Sequence, residues 1–116
     1  LTRFLPCTLV LSMMIGCASD PAPTEQLRLT EQALTQARSV GASQATPEFV
    51  LAEQSLAAAV AAMKDEDYRG ARLHAEKAEL DARLAEAKVL NDKSKQELVE
   101  VSRRIERLRE QLRASQ

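Results

Sequence analysis

Aromatic side chains are almost missing from this sequence: Phe4, Phe49 and Tyr68 are the only three, and there is no Trp. One histidine (His74), two cysteines (Cys7 and Cys17), three glycines and four prolines complete the scarce residues. Few aromatics argue against a sheet, where they are enriched, and few Gly and Pro leave little material for tight turns. A lone imidazole and two scattered thiols do not assemble a zinc-type ligand set, so no metal and no cofactor is expected. Neither sign of charge dominates. Sixteen Lys and Arg face 17 Asp and Glu, a formal charge of −1, so the basic footprint of a nucleic-acid binder is absent. What the sequence does have is 19 alanines and 16 leucines, both strong helix formers. Its 116 residues allow one small domain, and the expected fold class is all-α.

Residues 1–16 read as an export signal, with Arg3 as the positive flank and Leu5 to Ile15 as the apolar stretch. That stretch is shorter than the roughly 20 residues of a transmembrane helix. Met14-Ile15-Gly16-Cys17, followed by the small Ala18 and Ser19, resembles the lipobox of bacterial lipoproteins, with Met14 where Leu is usual. The resemblance implies cleavage between Gly16 and Cys17 and lipidation of Cys17; the alternative is an ordinary cleaved signal beside an incidental cysteine. Ala18, not Asp, follows Cys17, which by the same resemblance implies the periplasmic face of the outer membrane as the destination. Cys7 would leave with the signal and Cys17 would be thioether-linked, so no disulfide is expected. Membrane contact would then run through acyl chains, each buried CH₂ contributing about 0.8 kcal/mol.

Residues 17–24 form a short tether with Pro21 and Pro23. Thr24 is the expected N-cap of a first helix carrying Leu27, Ala33, Leu34 and Ala37 on one face, stopped by Gly41. Thr30 and Thr35 weaken its propensity. Thr46-Pro47-Glu48 announces a second helix, with Phe49, Ala52, Leu56, Ala59, Val60 and Met63 as its apolar stripe. Asp65 and Asp67 are both candidate N-caps for a third. From Tyr68 the only breaker is Gly70, and residues 71–116 contain neither Gly nor Pro. One helix of about 45 residues would be roughly 68 Å long.

This last helix carries two seams. Tyr68, Ala71, Ala75, Ala78, Ala82, Ala85 and Val89 form a face of mostly small residues suited to close helix approach, with the second helix antiparallel to it. Leu80, Leu84, Ala87, Asn91, Ser94, Leu98, Val101, Ile105, Leu108 and Leu112 keep a heptad register, with a at Leu84, Asn91, Leu98, Ile105 and Leu112. The second helix reaches only the first half of the third. Leu98, Val101, Ile105, Leu108 and Leu112 therefore form a candidate seam for a partner or for a second copy, unless the first helix folds back over it or the tail frays. The expected organisation is an antiparallel hairpin region over 25–89, with three helices if the first one docks, and a projecting coiled-coil-like helix over 90–116. In a parallel homodimer Arg83 would meet Lys88 and Arg104 would meet Arg109, which favours an antiparallel pair or a different partner.

His74, beside Glu76, Glu79 and Asp81, lacks a second imidazole or thiol and reads as a solvated residue. Arg103, Arg104, Arg107, Arg109 and Arg113 form a basic cluster that suits an anionic surface, but interleaved Glu106 and Glu110 fit a solvated helix exterior better. No set of groups converges for catalysis, and no enzyme or small-molecule substrate is expected.

The run from Thr46 to Val89 (TPEFVLAEQSLAAAVAAMKDEDYRGARLHAEKAELDARLAEAKV) resembles a family of alanine-rich bacterial lipoproteins with a domain of unknown function. Its marks are the Pro-Glu start, the Ala/Leu helix, the acidic-Tyr turn and the Ala/Arg helix. Such proteins are often associated with OmpA-like peptidoglycan-binding domains; no such domain is in this sequence, so any wall contact would have to come through a partner. The turn at Asp67 and Tyr68 is also similar to that of a tetratricopeptide hairpin, although one unit makes no solenoid. The expectation is an outer-membrane lipoprotein with a structural or protein-interaction role in the periplasmic envelope, with no nucleic-acid partner. The alternative is an accessory subunit docking a specific envelope complex or an OmpA-like partner.

Overall fold

Nearly all of residues 20–116, the part of the chain that the computed structural model describes, falls into three helices: α1 (Thr24–Val40), α2 (Pro47–Lys64) and α3 (Tyr68–Ala114). The protein is all-α, as its composition implies. Contacts across the helices fix their directions. Thr30 meets Ala75, Gln36 meets Glu86 and Val40 meets Lys93, so α1 runs parallel to α3. Ser55 meets Lys77 and Glu48 meets Lys88, so α2 runs antiparallel to it. The hairpin of α2 and α3 is joined by a docked α1, which settles the position of the first helix.

The alanine face of α3 is the reason three helices can meet here. Ala71, Ala75, Ala78, Ala82 and Ala85 are all fully buried. One face presenting a methyl group at each contact lets two neighbouring backbones approach closely, and many short dispersion contacts replace a few large side chains. Only Leu34 and Phe49 contribute bulk to the main core cluster, which also takes in Ala37, Ala42, Ala52, Ala82 and Ala85. Arg38 covers the Phe49 ring from outside, its guanidinium carbon 5.4 Å from the centroid.

Each helix end has a local cause. At Gly41 the backbone turns left-handed (φ 112°), and the N–H groups of Ala42 and Gly41 donate to the Ala37 and Arg38 carbonyls, a Schellman closure. The α2–α3 turn repeats that pattern without glycine: Glu66 takes φ 58°, with Asp67 N–H donating to Ala62 and Glu66 N–H to Met63. Of the two candidate caps, Asp67 opens α3, its side chain accepting from the Gly70 N–H at 2.9 Å, whereas Asp65 closes α2. Gly70 does not break the helix. A Cβ there would lie 2.1 Å from Asp67 Oδ2, so the cap carboxylate occupies the space a side chain would need.

Two local expectations are corrected. Thr24 is the first residue of α1, not its cap; Pro23 holds that position and Thr24 Oγ1 donates to the Ala22 carbonyl. On α2 the buried line runs through Phe49, Ala52, Ser55 and Ala59, leaving Val60 exposed. Contact with the alanine face is set by small residues, and this turns Val60 outward while Leu56 stays half-buried against the core. Ser55 is tolerated there because its hydroxyl accepts from Lys77 Nζ at 3.3 Å.

Candidate interaction surface

Leu80 and Leu84 lie two residues to either side of Ala82, so at about 100° per residue they point away from it. Ala82 is fully buried, Leu80 is 68% exposed and Leu84 48%. α1 and α2 both sit on the alanine face. α2 therefore covers none of the leucine seam, not even the first half, and the seam is bare along its whole length.

Farther along α3 the other face is bare as well. The last cross-helix contact is Lys93 Nζ donating to the Val40 carbonyl at 2.5 Å, where the ammonium also suits the negative end of α1. From residue 91 to the C-terminus every residue is exposed. Leu98 and Leu112 are each 67% exposed, and Val101, Ile105 and Leu108 join them on the same stripe. Such a stripe is a candidate interaction surface, because burying each exposed Leu or Ile would stabilise an association by about 1.5–3 kcal/mol.

Ion pairs fasten the three-helix part. Glu48 of α2 pairs with Lys88 of α3, and Arg38 of α1 with Glu53 of α2 at 3.0 Å. Glu79 of α3 accepts from Gln26 of α1 at 2.7 Å and from Arg83 at 2.6 Å; the Gln26 amide foremost, then Arg83, holds its carboxyl below the ordinary value. Lys88 does the same for Glu48. On the arm the pairs are all local, within one turn of α3: Lys95–Asp92 and Arg104–Glu100 are both 3.9 Å apart, and Arg109–Glu106 is 2.8 Å.

His74 is half-buried, and among the described residues no three His, Cys, Asp or Glu side chains converge to hold a metal ion. No helix among them is long and apolar enough to cross a membrane. Gly16 and Cys17, the cleavage and lipidation residues, lie outside the described residues. Thr30, Ser55 and Lys93 matter more than their residue types suggest. Thr30 and Ser55 are polar residues in apolar stripes, and the signal for them was spacing: Thr30 is four residues before Leu34, and Ser55 three after Ala52.

The structure thus defines a small all-helical module, closed by alanine packing at one end and extended by a bare amphipathic helix at the other. A family model described as a domain of unknown function, DUF4398, matches residues 25–101, and the chain belongs to that family. Among solved structures, the chain is similar to a crystal structure of a DUF4398 family protein from Pseudomonas aeruginosa PAO1. The two are 56% identical with a TM-score of 0.81, the match covering 83% of this chain and 100% of the other. No curated protein matches the chain. The family match ends at Val101, within the seam, so Ile105, Leu108 and Leu112 lie beyond it.

Proposed function

We propose that this protein is an outer-membrane lipoprotein that presents a helical interaction arm to the periplasm. The bare leucine seam of α3 is the observation that carries the interaction role: a heptad stripe with no partner among the described residues is built to be covered. The anchor rests on Met14-Ile15-Gly16-Cys17 in the sequence. A lipid on Cys17 would be separated from α1 by only residues 18–23, a tether reaching about 20 Å at full extension. Because α1 is parallel to α3, the start of α1 and the α2–α3 turn share one end of the module. With that end at the membrane, the arm would project toward the cell wall, α3 alone spanning roughly 70 Å.

Two measurements test the reading. Metabolic labelling with a fatty-acid analogue is expected to mark the parent protein and not Cys17→Ser; label on the variant would remove the anchor. A photo-crosslinking residue at Leu98 is expected to trap a protein in intact cells, and the adduct should vanish with Ile105→Asn. An adduct unaffected by Ile105→Asn would remove the seam from the function.

A further inference from the structure

We infer that the leucine seam of α3 docks an amphipathic helix of a different protein, one whose positions flanking its own apolar stripe carry Asp and Glu. The inference rests on the interaction role proposed above and adds the chemistry of the partner.

The seam is flanked by the e and g positions of the heptad. Along the seam the charged residues there are the five bases Arg83, Lys88, Lys95, Arg104 and Arg109, against two acids, Glu97 and Asp81, the latter already paired with Lys77 at 2.7 Å. Each of the five basic side chains is more than half exposed. Lys95 and Arg104 sit at the long limit of their own ion pairs, so turning toward a docked helix forfeits little. The result is a leucine stripe between two basic rails, which an acidic-flanked helix complements at every charged step but those of Asp81 and Glu97.

A second copy of this chain fits the rails poorly. In a parallel pair Arg83 faces Lys88 and Arg104 faces Arg109, with no opposite-charge pair to offset them. In the antiparallel register that stacks Leu98 on Val101, the Glu97–Arg104 attractions are matched by Lys88–Arg109 repulsions, and Ile105 lands on Ser94. An anionic lipid surface suits the basic rails but not the apolar geometry. The stripe keeps a narrow 3.5-residue repeat, whereas a helix lying in a bilayer interface turns a broad 3.6-residue face to it. Glu97, at a flanking position, would also be brought against the headgroups.

The test uses the purified chain and two synthetic helical peptides of about four heptads, both with Ile and Leu at a and d. One carries Glu and the other Lys at every e and g position. The chain is expected to bind the Glu peptide at least about tenfold more tightly than the Lys peptide, a preference that shrinks in high salt. Ile105→Asn should remove binding to both. A triple variant, Lys95→Glu with Arg104→Glu and Arg109→Glu, should reverse the preference while leaving thermal unfolding of the three-helix part unchanged. Equal binding of the two peptides, or binding of neither, overturns the inference. So does a homo-oligomer of the chain that Ile105→Asn dissociates, or co-sedimentation with phosphatidylglycerol vesicles in place of peptide binding. Crosslinking at Leu98 that persists in cells while the peptides show no preference would overturn the partner chemistry and leave the proposed function standing.

Discussion

The Thr30 hydroxyl of α1 lies 2.9 Å from the carbonyl oxygen of Ala75 in α3 and 2.9 Å from that of Gln26 in its own helix. It is fully buried, and it is the only polar side chain of α1 in the interface core. A threonine that weakens an isolated helix here ties two helices together. Its single proton is shared between two carbonyls that are themselves acceptors within their helices, so neither is left unpaired when the hydroxyl is lost.

Thr30→Val replaces that hydroxyl with a methyl group of similar size. The expected cost is about 1 kcal/mol, the net worth of one buried hydrogen bond. Chemical denaturation of parent and variant checks it. A variant as stable as the parent would show that packing alone seats Thr30.

The two faces of α3 differ by design, and paired substitutions expose the difference. Ala82→Leu forces three extra heavy atoms into a fully buried contact and is expected to destabilise by about 1–3 kcal/mol. Leu80→Ala, two residues away and largely exposed, should change stability by no more than about 0.5 kcal/mol in the lone chain. Thermal unfolding of both separates them. Equal effects would mean that α1 and α2 do not sit on the alanine face alone.

Most of the architecture is legible in the sequence because helix punctuation and small-residue spacing are local signals. Gly41, Pro47 and the acidic turn mark the three helices, and all five alanines expected at the contact are buried. The position of α1 is not legible. Its own stripe is short; Leu34 and Ala37 reach the core, and the Thr30 hydroxyl and Lys93, which reaches back to the Val40 carbonyl, fix where α1 lies along α3. Spacing places Thr30 on the stripe of Leu34, but neither long-range partner, Ala75 for Thr30 or Val40 for Lys93, is announced by periodicity. The burial of Ser55 in place of Val60 on α2 escaped for a related reason: hydropathy favours Val60, whereas a contact against alanines selects small side chains. The seam residues are legible as a pattern, but that the seam is bare from Leu80 onward follows only from where α1 and α2 sit.

Acid should loosen the module through Glu48 and Glu79. Lys88 holds the Glu48 carboxyl below its ordinary value of 4.5, and Gln26 with Arg83 does so for Glu79. A carboxylate depressed by folding adds stability that is present above its unfolded value and is lost as pH falls through its folded one. The melting temperature is therefore expected to be level between about pH 7 and 5.5 and to decline below about pH 4.5. Lys88→Met should flatten part of that decline by removing the partner that depresses Glu48. An acid limb identical in the variant would assign the loss to other carboxylates.

Order along α3 should end where the other helices end. Residues 71–89 are held by α1 and α2, and their amides exchange only when the three-helix part opens. Beyond Lys93 the helix has only its own hydrogen bonds and a few i,i+3 and i,i+4 ion pairs, each worth a few tenths of a kcal/mol. That stretch lacks the tertiary packing from which most helical stability in proteins comes. Hydrogen exchange of the isolated chain is expected to show strong protection at Ala78, Ala82 and Ala85, falling steeply past Lys93 to near-free exchange at Ile105 and Leu108. Filling the seam should reverse the gradient, since burying Leu98, Ile105 and Leu112 adds stabilisation that only the helical arm can realise. Uniform protection of α3 in a chain shown to be monomeric would mean that the arm is ordered without any partner.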